Sequence, residues 1–260
     1  MNMILVKLGG SVITDKTGLK AFREDQTKRL ALEISRSGKE VFLIHGAGSF
    51  GHVLAHRHSL QNGFKSKDQV QGLARVMSDV RELNQKVVET FERSGIPCAS
   101  IPPSAVAELD EGILVHLPTH LFMAYSELGL MPVTFGDVCL DRTRGFGICS
   151  GDQLMEWLAR EFRPERAIFC ADVDGIFTSD PNVDPKAEII PEVDERTLEG
   201  LPRTERYLDV TGSIYGKIES MLRISSHSRD CMVINGQVGG RLESALGGEE
   251  VIGSRVISSG

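Results

Sequence analysis

The stretch VFLIHGAGSFGH (residues 41–52) sets a short apolar β-type run directly against a loop of small residues. A plain turn needs one glycine or two. Here Gly46, Gly48 and Gly51 come with Ala47, and a histidine stands at each end. A loop with so few side chains lets a second piece of backbone, or a ligand, come close to its N–H groups. ILVKLGGS (4–11) repeats the arrangement, with Lys7 inside the apolar run and Gly9, Gly10 and Ser11 after it. Two strands ending in small-residue loops predict an α/β protein whose ligand sits at the carboxyl edge of a parallel sheet.

The rest of the chain has the matching rhythm. MPVTF, RAIFCAD and CMVIN read as further buried strands. Helical periodicity is expected over about 25–37, 68–93, 119–128, 151–162 and 214–228. Alternating strands and helices predict a three-layer αβα sandwich around a mainly parallel sheet. VCLDRTRGFGIC instead predicts a hairpin turning near 142–145, and TSDPNVDPKAE (178–188) a surface loop. One domain over 1–260 is expected, with approximate lobes 1–150 and 151–260.

Composition narrows the function classes. The chain has 260 residues and a formal net charge of −7, so its overall field offers no attraction to nucleic acid or anionic membrane. Any bound anion must be held by a local cluster of cations. No segment reaches the roughly 20 apolar residues of a membrane span. MNMILVKLGG is not organised as a signal peptide, and a cytoplasmic location is expected. The five cysteines lack metal-ligand spacing and lie mostly in apolar runs; buried free thiols are expected, and no metal site.

Each candidate residue has a plain reading beside a functional one. Lys7 either extends from a strand end past its apolar neighbours or waits for a phosphate. His45 reads as the hydrogen-bonded end of a strand. His52 stands where a helix could begin, and is either a polar first-turn residue or a donor beside the glycine loop. Ser150 and Gln153 form a capping box at a helix start, where Gly151 and Asp152 could also face an anion. In ADVDGIFTSDP (171–181) the Asp-Gly pair makes a turn, and the spacing does not match an EF-hand. In DVTGSIYGK (209–217) Lys217 sits against the helix dipole, a conflict that a bound anion would relieve. Together, these loops and Lys7, Lys16 and Lys217 describe a site for polyphosphate or for two phosphates.

The order KLGGSVITDK, HGAGSFGH, PSA, FGDV, SGDQ, DVDGIFTSDP, DVTGSIYGK resembles the amino acid kinase superfamily almost end to end, and within it the isopentenyl phosphate kinase branch. The most specific marks are GGSVITDK and HGAGSFGH. The resemblance implies a homodimer; from the net charge no nucleic-acid or membrane partner is expected. It implies conversion of isopentenyl phosphate to isopentenyl diphosphate with ATP and Mg²⁺, a step of the alternative mevalonate route of isoprenoid synthesis.

Carried over by motif, Lys7 and Lys217 contact the ATP phosphates and the transferring group, and Lys16 stabilises the transition state. Gly9, Gly10 and Ser11 cradle phosphate. Ala47 and Gly48 line the junction of the two ligands. His52 holds the acceptor phosphate with Gly151 against it, and Asp152 orients the lysines. Asp172, Asp174, Gly175, Gly212 and Gly216 frame the nucleotide. Ser213 stands where many relatives have a second glycine. The stripe Val70, Leu73, Met77, Val80, Leu83 and Val87 is core by periodicity; the resemblance sets the prenyl chamber beside it, around Leu73, Met77 and Val80.

A phosphomonoester is mostly dianionic at neutral pH, its second pKa being about 6. It needs no general base, and catalysis is expected from positioning and charge stabilisation. The alternatives are a fosfomycin kinase, a nucleoside monophosphate kinase, or a non-catalytic nucleotide-binding protein on the same fold. No appended regulatory domain is expected beyond the kinase-length chain, which argues against an aspartokinase.

Overall fold

The computed structural model describes residues 2–15, 17–181, 183–200, 208–209 and 212–258, with backbone only at 208–209 and 212–214. Among these residues the main sheet has eight strands. In chain order they are β1 (Ile4–Leu8), β4 (Val41–His45), β5 (Cys98–Ser100), β8 (Met131–Phe135), β11 (Arg166–Ala171), β12 (Glu192–Val193), β15 (Asp230–Asn235) and β16 (Gly253–Val256). Their spatial order is β12-β16-β15-β11-β1-β4-β8-β5. Every pairing is parallel except that of β15 with β16.

A smaller sheet holds β6 (Glu108–Asp110), β7 (Ile113–His116), β9 (Asp137–Asp141) and β10 (Gly145–Cys149). Two short ribbons pair β2 (Thr14–Asp15) with β3 (Ala21–Phe22), and β13 (Leu208–Asp209) with β14 (Gly212–Ser213). The helices are α1 (Gly10–Ile13), α2 (Glu24–Ser37), α3 (Gly48–Arg57), α4 (Gln69–Arg93), α5 (Pro103–Val106), α6 (His120–Glu127), α7 (Gly151–Phe162), α8 (Glu195–Gly200), α9 (Ile214–Ser225) and α10 (Arg241–Gly247).

Strand alternation builds the three layers. Side chains two apart point to the same face, so Leu5, Phe42, Ile44, Ala167, Phe169 and Val233 meet Leu154 and Leu158 of α7 and Ile218 of α9. Their neighbours Ile4, Val6, Leu8, Leu43, Ile168 and Ile234 meet Leu30 and Ile34 of α2, Leu83 and Val87 of α4, and Leu242 of α10. Lys7 therefore shares its face with Leu5 and with α7.

A third core lies under α3, the first half of α4 and the β9–β10 hairpin, and includes Ala55, Val76, Val80, Val138 and Phe146. Each valine or phenylalanine of this kind contributes about 1.5–3 kcal/mol when fully buried.

The predicted hairpin forms between β9 and β10. Asp141 organises its turn by accepting from the N–H groups of Thr143 and Arg144. The helix expected over 214–228 ends at Ser225. Helix α10 and strands β5, β12 and β16 were outside the expectations. These strands are two to four residues long, too short for a period to register.

Candidate active site

A cavity of about 450 Å³ opens at the carboxyl edge of the sheet, between the ends of β1, β4 and β11. One end is polar, with Lys7, Gly9, Gly10, Ser11, Ala47, Gly48, His52, Gly151, Asp152, Asp172 and Lys217 on its wall. The other is apolar, walled by Ala55, Val76, Val80, Val138 and Ile148, which pack together as one cluster.

The two glycine loops stand back to back. Gly46 N–H donates to Leu8 O at 3.0 Å, and Gly9 N–H donates to Cys170 O at 2.9 Å. A Cβ on Gly10 would lie 2.5 Å from Gly48 N. Gly48 itself has φ +48, and a Cβ there would meet Thr14 Oγ1 at 2.2 Å. Only glycine fits both positions. Thr14, fully buried, ties the loops together: its hydroxyl donates to Gly10 O at 2.7 Å and accepts from Ser49 N–H at 3.0 Å.

Helices α3 and α7 start at this edge, and the positive ends of their dipoles face the polar half of the cavity. Ser150 caps α7, accepting from Gln153 N–H at 3.2 Å. The reciprocal half of the expected capping box is spent elsewhere. Gln153 accepts from Leu114 N–H at 2.8 Å and donates to Gly112 O at 3.2 Å, which pins the small sheet to α7.

Lys7 Nζ lies 2.5 Å from Asp152 Oδ1, both side chains largely buried, and 5.6 Å from the centre of the Phe169 ring. The pair holds the ammonium at the first turn of α7, where a Cβ on Gly151 would come 3.1 Å from Lys7 Cε.

His45 and His52 separate in space. His45 is fully buried, stacked on Phe135 with ring centres 5.3 Å apart. Its Nδ1 lies 3.1 Å from Gly46 O and its Nε2 3.3 Å from Asn84 Oδ1. Burial pushes its pKa down to about 4 despite those contacts, so it is neutral at physiological pH and supports the loop. His52 lies in the second turn of α3, not at its start, and lines the cavity.

Other expected residues fall differently. Lys16 lies outside the described residues. Val80 lines the cavity, while Leu73 and Met77 pack behind it against the third core. Asp174 and Gly175 are not on the wall. Arg241 holds Asp174 at 2.5 Å and lowers its pKa, with Asn235 adding a second hydrogen bond. Gly175 packs closely against Ser254 of β16. Gly212 belongs to the β13–β14 ribbon and Gly216 to the first turn of α9, beside Lys217.

Sequence reasoning missed Gly136, Asp137, Val138, Ile148 and Cys149, which the hairpin brings to the wall. The signal for three of them, Gly136, Asp137 and Val138, is the motif FGDV (135–138). Burial raises the pKa of Asp137, while hydrogen bonds from Ser104 and from its own neighbour Val138 oppose the rise. Four of the five cysteines are buried and all are free. Burial pushes the Cys170 thiol, on the cavity wall, up to about 12, which removes it as a nucleophile. Among the described residues no three His, Cys, Asp or Glu side chains form a metal-binding group, and no helix is long and apolar enough to cross a membrane.

Known proteins share this architecture. The amino acid kinase family matches residues 2–235. Isopentenyl phosphate kinase of Methanothermobacter thermautotrophicus is 36% identical, over 98% of each chain. That of Thermoplasma acidophilum is 32% identical, over 97% of this chain and 99% of its own. A solved isopentenyl phosphate kinase structure superposes with a TM-score of 0.85 at 34% identity, covering 98% of this chain and 99% of that one. With its back-to-back glycine loops and the Lys7–Asp152 pair at the same sheet edge, the chain belongs to the amino acid kinase family, in its isopentenyl phosphate kinase branch.

Proposed function

We propose that this chain transfers the γ-phosphoryl group of ATP to isopentenyl phosphate, giving isopentenyl diphosphate. The observation that carries the reading is the two-ended cavity. Cations and glycine-loop amides line one end and small aliphatic side chains the other. A phosphate head with a short hydrocarbon tail matches both ends; an amino-acid acceptor would leave the apolar wall unused. The acceptor phosphate would lie against Gly48, His52 and Gly151, with its tail toward Val76, Val80, Val138 and Ile148. The nucleotide would enter from the side of Phe169, Asp172 and Lys217. Acceptor contacts then come mainly from residues 1–150 and nucleotide contacts mainly from 151–260.

The acceptor oxygen attacks the γ-phosphorus in line, and the bond to ADP breaks. The residues' task is to bring two anions together. Lys7, oriented by Asp152, and Lys217 offset the charge on the transferring group, while loop amides and His52 donate to phosphate oxygens. Lys16 would join them at the transition state. Mg²⁺ would travel with ATP, bound by its phosphates, since it keeps several waters and needs few protein ligands. A homodimer and a place in the alternative mevalonate route belong to the same reading.

The test is an acceptor panel of isopentenyl phosphate, fosfomycin, UMP, glutamate and aspartate with ATP and Mg²⁺. Isopentenyl phosphate should have the highest kcat/KM. A higher value for any other acceptor, or ATP binding with no turnover of the panel, would overturn the assignment.

A further inference from the structure

The ribbon of β2 and β3 is fastened at a point the reaction described above does not use. Lys20, at the ribbon's turn, is a non-glycine residue with φ +56, a conformation that needs support from its surroundings. Its ammonium lies 3.0 Å from Asp79 Oδ1 and also pairs with Glu82. It stands 5.8 Å from the centre of the Phe50 ring. Asp79 is on α4, only 2% exposed, and also accepts from Arg75 at 3.1 Å. Backbone bonds continue from the ribbon into α3. Lys20 N–H donates to Ser49 O at 3.4 Å, and Ala21 N–H to Ser49 Oγ at 3.3 Å. Through Thr14, Ser49 connects to Gly10.

Asp79 is thus one end of a continuous polar chain through Lys20, Ser49 and Thr14 to the two glycine loops. On α4 it follows Val76 by three residues and precedes Val80, both on the apolar wall. We propose that Asp79, acting through Lys20, is a positioning residue that couples filling of the apolar wall to the geometry of the phosphate cradle. This rests on the acceptor assignment above. A tail seated on Val76 and Val80 settles α4, and the Asp79–Lys20 pair carries that position to the ribbon and the loops. The tail's binding energy is then expressed in kcat as well as KM.

The experiment compares isopentenyl phosphate with ethyl phosphate, which has the head and almost no tail, in wild type, Asp79→Asn, Lys20→Met and Lys20→Arg. In Asp79→Asn and Lys20→Met, kcat for isopentenyl phosphate should fall about tenfold, a scale reached by coupling through packed networks. Its KM, and kcat for ethyl phosphate, should stay within about twofold. Lys20→Arg should recover most of the loss. Should Asp79→Asn fail to fold, Lys20→Met, whose side chain is 28% exposed, carries the test. An equal fall for both acceptors, or no fall, overturns the coupling and leaves the acceptor assignment standing. A wild-type chain inactive on isopentenyl phosphate overturns both.

Discussion

Gly10→Ala tests whether the back-to-back contact of the loops sets the reaction geometry. Gly10 is outside the left-handed region, so alanine suits its backbone and the effect must come from space. The added Cβ would lie 2.5 Å from Gly48 N and 2.6 Å from Gly48 Cα. Carbon atoms in contact prefer about 3.5–4 Å, so the loops must part by roughly 1 Å. A shift of that size in a positioned site costs on the order of 10²-fold in rate, or about 2.7 kcal/mol of barrier. The assay is steady-state ADP release with isopentenyl phosphate as acceptor, beside thermal melting of the same preparation. The expected result is a kcat/KM lowered by about 10²-fold in a protein that still melts cooperatively. A folded variant within about threefold of wild type would show that the cradle does not depend on this contact.

Three further outcomes follow from the same geometry. His52→Ala should lose about 10²–10³-fold in kcat, as for a missing preorganised donor, and His52→Gln less; unchanged turnover of His52→Ala would remove it from the mechanism. Val76→Ala and Val80→Ala should raise kcat/KM for longer prenyl phosphates relative to isopentenyl phosphate, since both side chains wall the apolar end; no gain in either variant or their combination would mean that the tail lies elsewhere. His45 links stability to pH. Its folded pKa, about 4, lies below the ordinary 6.5, so the unfolded chain binds more protons between those values. Stability from this group is complete above the ordinary value and is lost as pH falls toward 4, by up to about 3 kcal/mol. Urea midpoints at about pH 7.5 and about pH 5 should differ more for wild type than for His45→Gln; equal differences would refute the assignment.

Much of the architecture was written in local patterns. The apolar runs gave five of the eight main strands, because a fully buried strand must be apolar along its length. Ser150 marked the start of α7, since a side-chain cap is a local device, and α2 stops at Gly38, whose φ of +61 is the left-handed stop that glycine favours. The position of Lys7 also has a local cause: strand alternation puts it on the face with Leu5, toward α7.

Which residues meet was less legible. Val76, Val80, Val138 and Ile148 look like ordinary core residues, and only the packing of the β9–β10 hairpin against α4 turns part of that core into a wall. Asp174 sits in a recognisable motif, yet Arg241, 67 positions later, draws it off the cavity. Lys20 and Asp79 lie 59 residues apart, with no spacing to announce their ion pair. From the residues alone came the strands, the glycine loops and the class of chemistry, because backbone freedom and side-chain charge act within a few positions. The shape of the acceptor end, the separate roles of His45 and His52, and the tie between ribbon and helix came from folding, because each depends on distant segments packing at ångström precision.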